Sequence, residues 1–222
     1  MMKQATRRIA YSTGFIGVLI ISLGSLLAGL KYRGAEGEPF SISNQFVSEL
    51  GNTVNGQAAL LFNAALVSGS LCLGVHLYCL ALNFRGALRK RLRTLAVTGS
   101  LFGMLVGFLP MNVSFLHYVV SAVFFLALTL YVADFTLYLR RTPQNPFHQS
   151  LLITGIVMLV SVVVFLITGA IQFAQGNLLI TQPLNQRPTF TFSTTSEWVT
   201  LAALIFWVLL ASIHLLRARN LS

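Results

Sequence analysis

Long apolar runs alternate with more polar segments of different lengths along the whole chain. Six runs are each long enough to cross a hydrocarbon core of about 30 Å as a helix, at about 9–30, 57–83, 94–110, 113–139, 150–174 and 198–216. The third and fourth are separated by Pro110-Met111-Asn112, where proline ends one helix and Asn112 or Ser114 can cap the next. The pattern predicts an all-α polytopic membrane bundle of six transmembrane helices, folded as a single domain over residues 1–222.

Two connections, at about 31–56 and 175–197, are long and lie on the same side of such a bundle. In the first, Ile42, Phe46, Val47 and Leu50 recur at helical spacing, and Gly51 follows as a helix stop. This spacing predicts a short amphipathic helix in the first outer loop, lying at the outer membrane interface or dipping into it. The polar, proline-containing stretch 177–193 of the second connection fits either an extended loop or a small hairpin.

Composition supports a lipid environment, since 55% of the residues are hydrophobic and only 9% are charged, against about 25% charged in soluble domains. The net charge of +10 comes from clusters between the apolar runs rather than from one broad basic face, which argues against nucleic-acid binding. Only Lys31, Arg33 and Arg187 of the 15 basic residues fall in the two long connections. The positive-inside rule therefore places both termini in the cytoplasm and the long connections outside.

Polar residues in or beside the apolar runs are few, and since their burial in lipid is costly we expect them to face the bundle interior. An outer layer joins Glu49, Asn52, Asn63, His117 and Glu197. Such a layer can bind a headgroup, a cation or a proton. The alternative is that these side chains serve as caps and interhelical hydrogen bonds, as in the capping box Thr194-x-x-Glu197 predicted for the sixth helix.

An inner layer, on the cytoplasmic half, joins His76, Asp134 and His214. Two histidines and an aspartate can ligate zinc if they converge in space, although no pair has a recognised short spacing such as H-E-x-x-H. An Asp–Arg or Asp–His pair near the membrane face is the alternative. No cofactor is predicted, because the chain has no Walker loop, no G-x-S-x-G elbow and no dinucleotide fingerprint.

Three glycines, Gly99, Gly103 and Gly107, recur every four residues in the third run. They stack on one helix face and let another helix approach closely. Helix packing is the interpretation we favour, and a substrate groove floored by glycines is the alternative.

Several short motifs occur in an order that resembles a known family. They are Ser48-Glu49-Leu50-Gly51 after the first run, Leu61-Phe62-Asn63 in the second, Gly107-x-x-Pro110 closing the third and His117-Tyr118 opening the fourth. The order resembles the prokaryotic six-span family called domain of unknown function 998 and, more distantly, the eukaryotic group of the damage-regulated autophagy modulators. The motifs cover about residues 10–140, and the last two runs match by topology. The resemblance implies a multi-pass protein of a bacterial or archaeal plasma membrane, with Ser48, Glu49, Asn63 and His117 on its outer half and no established catalytic residues.

These observations favour a protein that binds membrane lipid, or a membrane-protein partner, through the outer layer. The eukaryotic relatives point by analogy to lipid remodelling and membrane-lipid organisation. A membrane-embedded lipid-modifying enzyme is the first alternative, and it needs an activated nucleophile or a metal. A small transporter is the second, although the centres of the runs are mostly apolar.

Overall fold

The computed structural model describes residues 3–34, 37–112, 115–142, 146–175 and 186–217. Within these ranges the chain is all-α, as predicted, and each predicted run corresponds to one helix. The helices are α1 (Gln4–Lys31), α2 (Gln57–Ala81), α3 (Gly86–Phe108), α4 (Leu116–Arg141), α5 (Pro146–Ala174) and α6 (Phe192–Arg217), with two short 3-10 helices at Val47–Gly51 and Thr53–Asn55. The stretch 177–193, whose form the sequence leaves open, lies mostly outside the described residues.

The six helices form a ring in which each packs against the next and α6 returns to α1. Neighbours run antiparallel. A Cβ added at Gly24 of α1 would meet Ala65 of α2, whereas one added at Gly14, earlier in α1, would meet His76, later in α2. The start of α1 and the end of α6 therefore lie at one end of the bundle. We call the opposite end, which holds residues 37–56, the connector end, and residues 37–56 the connector.

Five of the helices, all except α3, are long and apolar enough to cross a membrane by their length and composition. Large apolar side chains cover the outside of the ring, among them Leu19, Leu126 and Val160, each at least 57% exposed. An apolar exterior around helices whose backbone groups are bonded internally is what a hydrocarbon solvent requires.

The basic segment between the second and third apolar runs is mostly helical. Residues 86–93 form the first two turns of α3, and the connection to α2 is only Leu82–Arg85. Gly86 makes the tight turn possible, since its φ of +59° lies in the left-handed region that favours glycine. Arg89 donates hydrogen bonds to the carbonyl oxygens of Phe84 (2.6 Å) and Leu82 (3.1 Å). A basic residue thus satisfies carbonyl groups left over at the end of α2.

The connector differs from its prediction. It forms two 3-10 helices rather than an amphipathic α-helix, and the first of them packs between α1, α2 and α6. Leu50 is fully buried and packs with Ala28, Tyr32 and Phe62. The predicted face was correct for Val47 and Leu50, because residues three apart share a face in a 3-10 helix as well.

The predicted N-cap Asn112 does not cap α4, which begins at Leu116. Its side chain instead accepts the N–H of Thr53 (3.1 Å) and donates to the Thr53 hydroxyl (2.8 Å). The α3–α4 turn is therefore tied to the second 3-10 helix of the connector.

Candidate functional site

A cavity of about 380 Å³ lies inside the ring of helices and extends to the connector. This volume falls within the range of about 300–1,000 Å³ that is usual for small-molecule sites. All six helices contribute to the wall, which is mostly apolar. The ionisable and amide side chains of the wall gather near the connector, and they are His117, Tyr118, Gln172 and Glu197.

Glu197 lies in the second turn of α6 and is 8% exposed. Its Oε2 accepts the N–H of Val47 at 2.7 Å, so the carboxylate stabilises the start of the first 3-10 helix while it borders the cavity. The predicted capping box is wrong, because α6 begins at Phe192 and the Thr194 hydroxyl donates to the carbonyls of Thr191 (2.9 Å) and Ser43 (3.1 Å). Glu197 caps the connector instead of its own helix.

Glu49 forms a buried ion pair with Arg187 from the second connection. The Arg187 Nη1 lies 2.8 Å from Oε1 and 3.0 Å from Oε2 of Glu49, and the two side chains are 4% and 8% exposed. Glu49 Oε1 also accepts the N–H of Phe46 at 2.9 Å. Sequence reasoning missed Arg187 as a site residue, because a lone arginine in a polar connection carries no pattern that points to a partner.

Asn63 and His117 bond to different backbone carbonyls. Asn63 Nδ2 donates to Gly51 at 3.0 Å and so fastens the connector to α2. His117 Nδ1 lies 2.6 Å from the carbonyl oxygen of Leu109, before the α3–α4 turn. Of the predicted outer layer, the cavity wall includes Ser48, His117 and Glu197, whereas the structure uses Glu49 and Asn63 to hold the connector.

The two histidines of the predicted inner layer have separate partners. His76 is fully buried, and its Nδ1 lies 2.8 Å from the carbonyl oxygen of Ala10 on α1. His214 Nε2 lies 3.2 Å from the hydroxyl of Ser150 on α5. Each histidine thus links its helix to a different neighbour.

Asp134, the third member of the inner layer, forms a two-point ion pair with Arg91 at the start of α3. This corresponds to the Asp–Arg alternative, with an arginine of α3 as the partner. Within the described ranges, no three His, Cys, Asp or Glu side chains are grouped so that they could hold a metal ion. The structure therefore does not bring His76, Asp134 and His214 together as a zinc site.

The glycine stripe of α3 lies where this helix meets α2 and α4. A Cβ at Gly103 would approach the Ser70 hydroxyl to 2.6 Å, and one at Gly107 would approach the carbonyl oxygen of Asn63 to 2.8 Å. Glycine at these positions lets the backbones come close. Gly99 faces Leu128 and is also part of the cavity wall, so packing and a glycine-floored cavity occur on the same stripe.

The comparison with known families agrees with the resemblance seen in the motifs. The family described as protein of unknown function (DUF998) matches residues 15–214, which is most of the chain, so the chain belongs to that family. No curated protein and no solved structure matches the sequence.

Proposed function

We propose that this DUF998 protein is a six-span membrane protein that holds one amphiphilic lipid in its cavity, with the lipid's polar end at the connector. The observation that carries the proposal is the gradient of polarity along the cavity wall. Side chains such as Leu73, Leu128 and Met158 form the deep part, and Glu197 and His117 border the part near the connector. A mostly apolar cavity within the bundle suits a lipid better than a membrane-protein partner or a polar solute.

The depth of the cavity fits the acyl chain of one leaflet. On α6 the wall runs from Glu197 to Val208, which at 1.5 Å per helical residue is about 16 Å. Half of a hydrocarbon core of about 30 Å is about 15 Å. A lipid whose headgroup lies at the connector therefore has room for a chain that reaches the middle of the bilayer.

We place the route from the bilayer into the cavity between α4 and α5. Tyr118 and Ala122 of α4 and Leu166 of α5 border the cavity and are exposed. Gly169 lines the same region, and a Cβ added there would meet no atom within 4 Å. A lipid in the membrane can enter the cavity sideways between these two helices, without passing the connector.

The six-span count rests on where α3 lies. Its first turns carry Arg89, Lys90, Arg91 and Arg93, which lowers its apolar character, yet it runs alongside α2 for its full length. The Arg93 guanidinium lies over the Tyr78 ring, 4.5 Å from its centroid, near one end of α2, and Gly107 packs against Asn63 near the other. A helix that spans the same depth as α2 crosses whatever layer α2 crosses.

The orientation follows from the same basic residues. The start of α3 and the end of α4, with Arg140 and Arg141, lie at the end of the bundle opposite the connector. Positive charge concentrates on the cytoplasmic side of membrane proteins. The connector and the polar end of the cavity then face the outer leaflet of a prokaryotic plasma membrane.

Filling the cavity tests the lipid site. Ser121 lines the cavity from α4, and Ser121→Trp places a large ring in it, whereas Ala202→Trp adds the same ring on the exposed face of α6. We expect native mass spectrometry of protein released from neutral detergent to show one retained lipid for the wild type and for Ala202→Trp, and none for Ser121→Trp. Equal retention by both variants would remove the cavity as the binding site.

A further inference from the structure

The described wall of the cavity has an acidic side chain at its polar end and no lysine or arginine. The described part of the wall contains three ionisable side chains, His117, Tyr118 and Glu197, and neither a lysine nor an arginine. Arg187 is in the same region of the fold, and it pairs with Glu49. Glu197 is therefore the side chain of the described wall that can supply a negative charge to a cation bound beside it.

A buried carboxylate is costly unless hydrogen bonds or a cation compensate it. The backbone N–H groups of Val47 and Ser48 donate to Glu197, and a carboxylate has about four acceptor positions. An ammonium group in the cavity would donate a charge-assisted hydrogen bond, which is stronger than a neutral one. A phosphate or carboxylate headgroup at the same place would instead face a like charge.

We infer that the lipid held in the cavity carries a cationic ammonium headgroup, which Glu197 binds. The aromatic rings of Phe46 and Tyr118 belong to the same part of the wall, and the faces of such rings attract ammonium cations. This inference rests on the proposed lipid site and adds the chemical class of the headgroup to it.

Three single-chain probes with the same tail separate headgroup from tail, namely hexadecylamine, hexadecanol and palmitate. Their binding to the full-length protein in neutral detergent is measured by native mass spectrometry. We expect the amine to bind at least about tenfold more tightly than the alcohol, as a hydrogen bond to a charged group allows, and palmitate to bind most weakly. Glu197→Gln should remove the advantage of the amine, whereas the control Glu38→Gln, outside the cavity wall, should keep it.

The outcomes distinguish this inference from the proposed function. If none of the three probes binds to the wild type, the lipid site itself is refuted. If amine and alcohol bind equally, if palmitate binds best, or if Glu197→Gln keeps the preference, the ammonium assignment is overturned and the lipid site stands.

A separate measurement shows whether the connector still packs against the bundle in Glu197→Gln. Glutamine retains an oxygen that can accept the Val47 N–H. Trp198, which donates to the carbonyl oxygen of Gln45 at 3.1 Å, reports by its fluorescence whether the connector remains in place. If the Glu197→Gln variant unfolds, the ranking of the three probes on the wild type still tests whether the site prefers an ammonium headgroup.

Discussion

Replacing Arg187 by methionine removes the cation that pairs with Glu49 of the connector. Both side chains are almost fully buried, at 4% and 8% exposed, so water screens the pair weakly. Removing one partner of a buried ion pair costs about 3–5 kcal/mol, because the other charge stays buried without its partner. An exposed pair contributes only about 0–1 kcal/mol. We therefore expect Arg187→Met to lower the free energy of unfolding by about 3 kcal/mol or more.

Unfolding is measured by titrating SDS into neutral mixed micelles and following tryptophan fluorescence. The chain has two tryptophans, which lie in different places. Trp198 contacts Phe40 of the connector, with ring centroids 5.6 Å apart, whereas Trp207 is fully buried in the core between the helices. The variant Trp207→Phe leaves Trp198 as the reporter of the connector. In that background Arg187→Met should shift the Trp198 transition to lower SDS.

A matched control uses the second ion pair. Arg91 pairs with Asp134, and the two side chains are 62% and 7% exposed. Because removal of the exposed arginine lets water reach Asp134, Arg91→Met should lower the free energy of unfolding by less than Arg187→Met does. In the double variant Arg187→Met/Glu49→Gln, the loss should be smaller than the sum of the two single losses, since both charges are gone. A loss below about 1 kcal/mol for Arg187→Met alone would refute a connector held by a buried charge pair.

Three further predictions concern packing and topology. Gly107→Ala should lower the free energy of unfolding by about 1–3 kcal/mol, because its Cβ would press on a backbone carbonyl. Gly29→Ala is the control and should leave stability unchanged, since a Cβ there would meet no atom within 4 Å. Equal effects of the two variants in SDS titration would count against close packing of α3. Leu50→Ala should cost about 2–5 kcal/mol by the same assay, since Leu50 is fully buried, and an unchanged midpoint would contradict its burial. A fluorescent protein fused after Ser222 should fluoresce, because that end of the chain is expected in the cytoplasm. If a periplasmic phosphatase fused at the same position were active instead, the topology would be the inverse of the one proposed.

Much of the fold could be predicted from the sequence because lipid is a demanding solvent. Apolar runs of this length have few alternatives to helices in hydrocarbon, and the six runs correspond to the six helices. The ends of the helices were less predictable. Thr194-x-x-Glu197 has the spacing of a capping box, yet α6 starts earlier and Glu197 accepts the N–H of Val47 from a segment about 150 residues away.

The candidate site was only partly predictable, because its residues meet across long distances in the sequence. His117 and Glu197 were identified as rare polar residues next to apolar runs, and Ser48 by the family resemblance; all three line one cavity. Arg187 was not, because its partner Glu49 is distant along the chain. The cavity itself has no sequence signal, since its apolar wall is made of the same residue types as the lipid-facing surface.

The sequence by itself determined the solvent and the elements: apolar content and run length select helices in a hydrocarbon environment, and the clustering of basic residues predicts their direction. Those are properties of each segment alone, since every helix satisfies its own backbone hydrogen bonds. Only the tertiary structure decided that the connector is inserted into the bundle, that Arg187 pairs with Glu49 and that the helices leave a cavity between them. These features depend on side chains from distant parts of the chain meeting in space, and no periodicity within one segment encodes such a meeting.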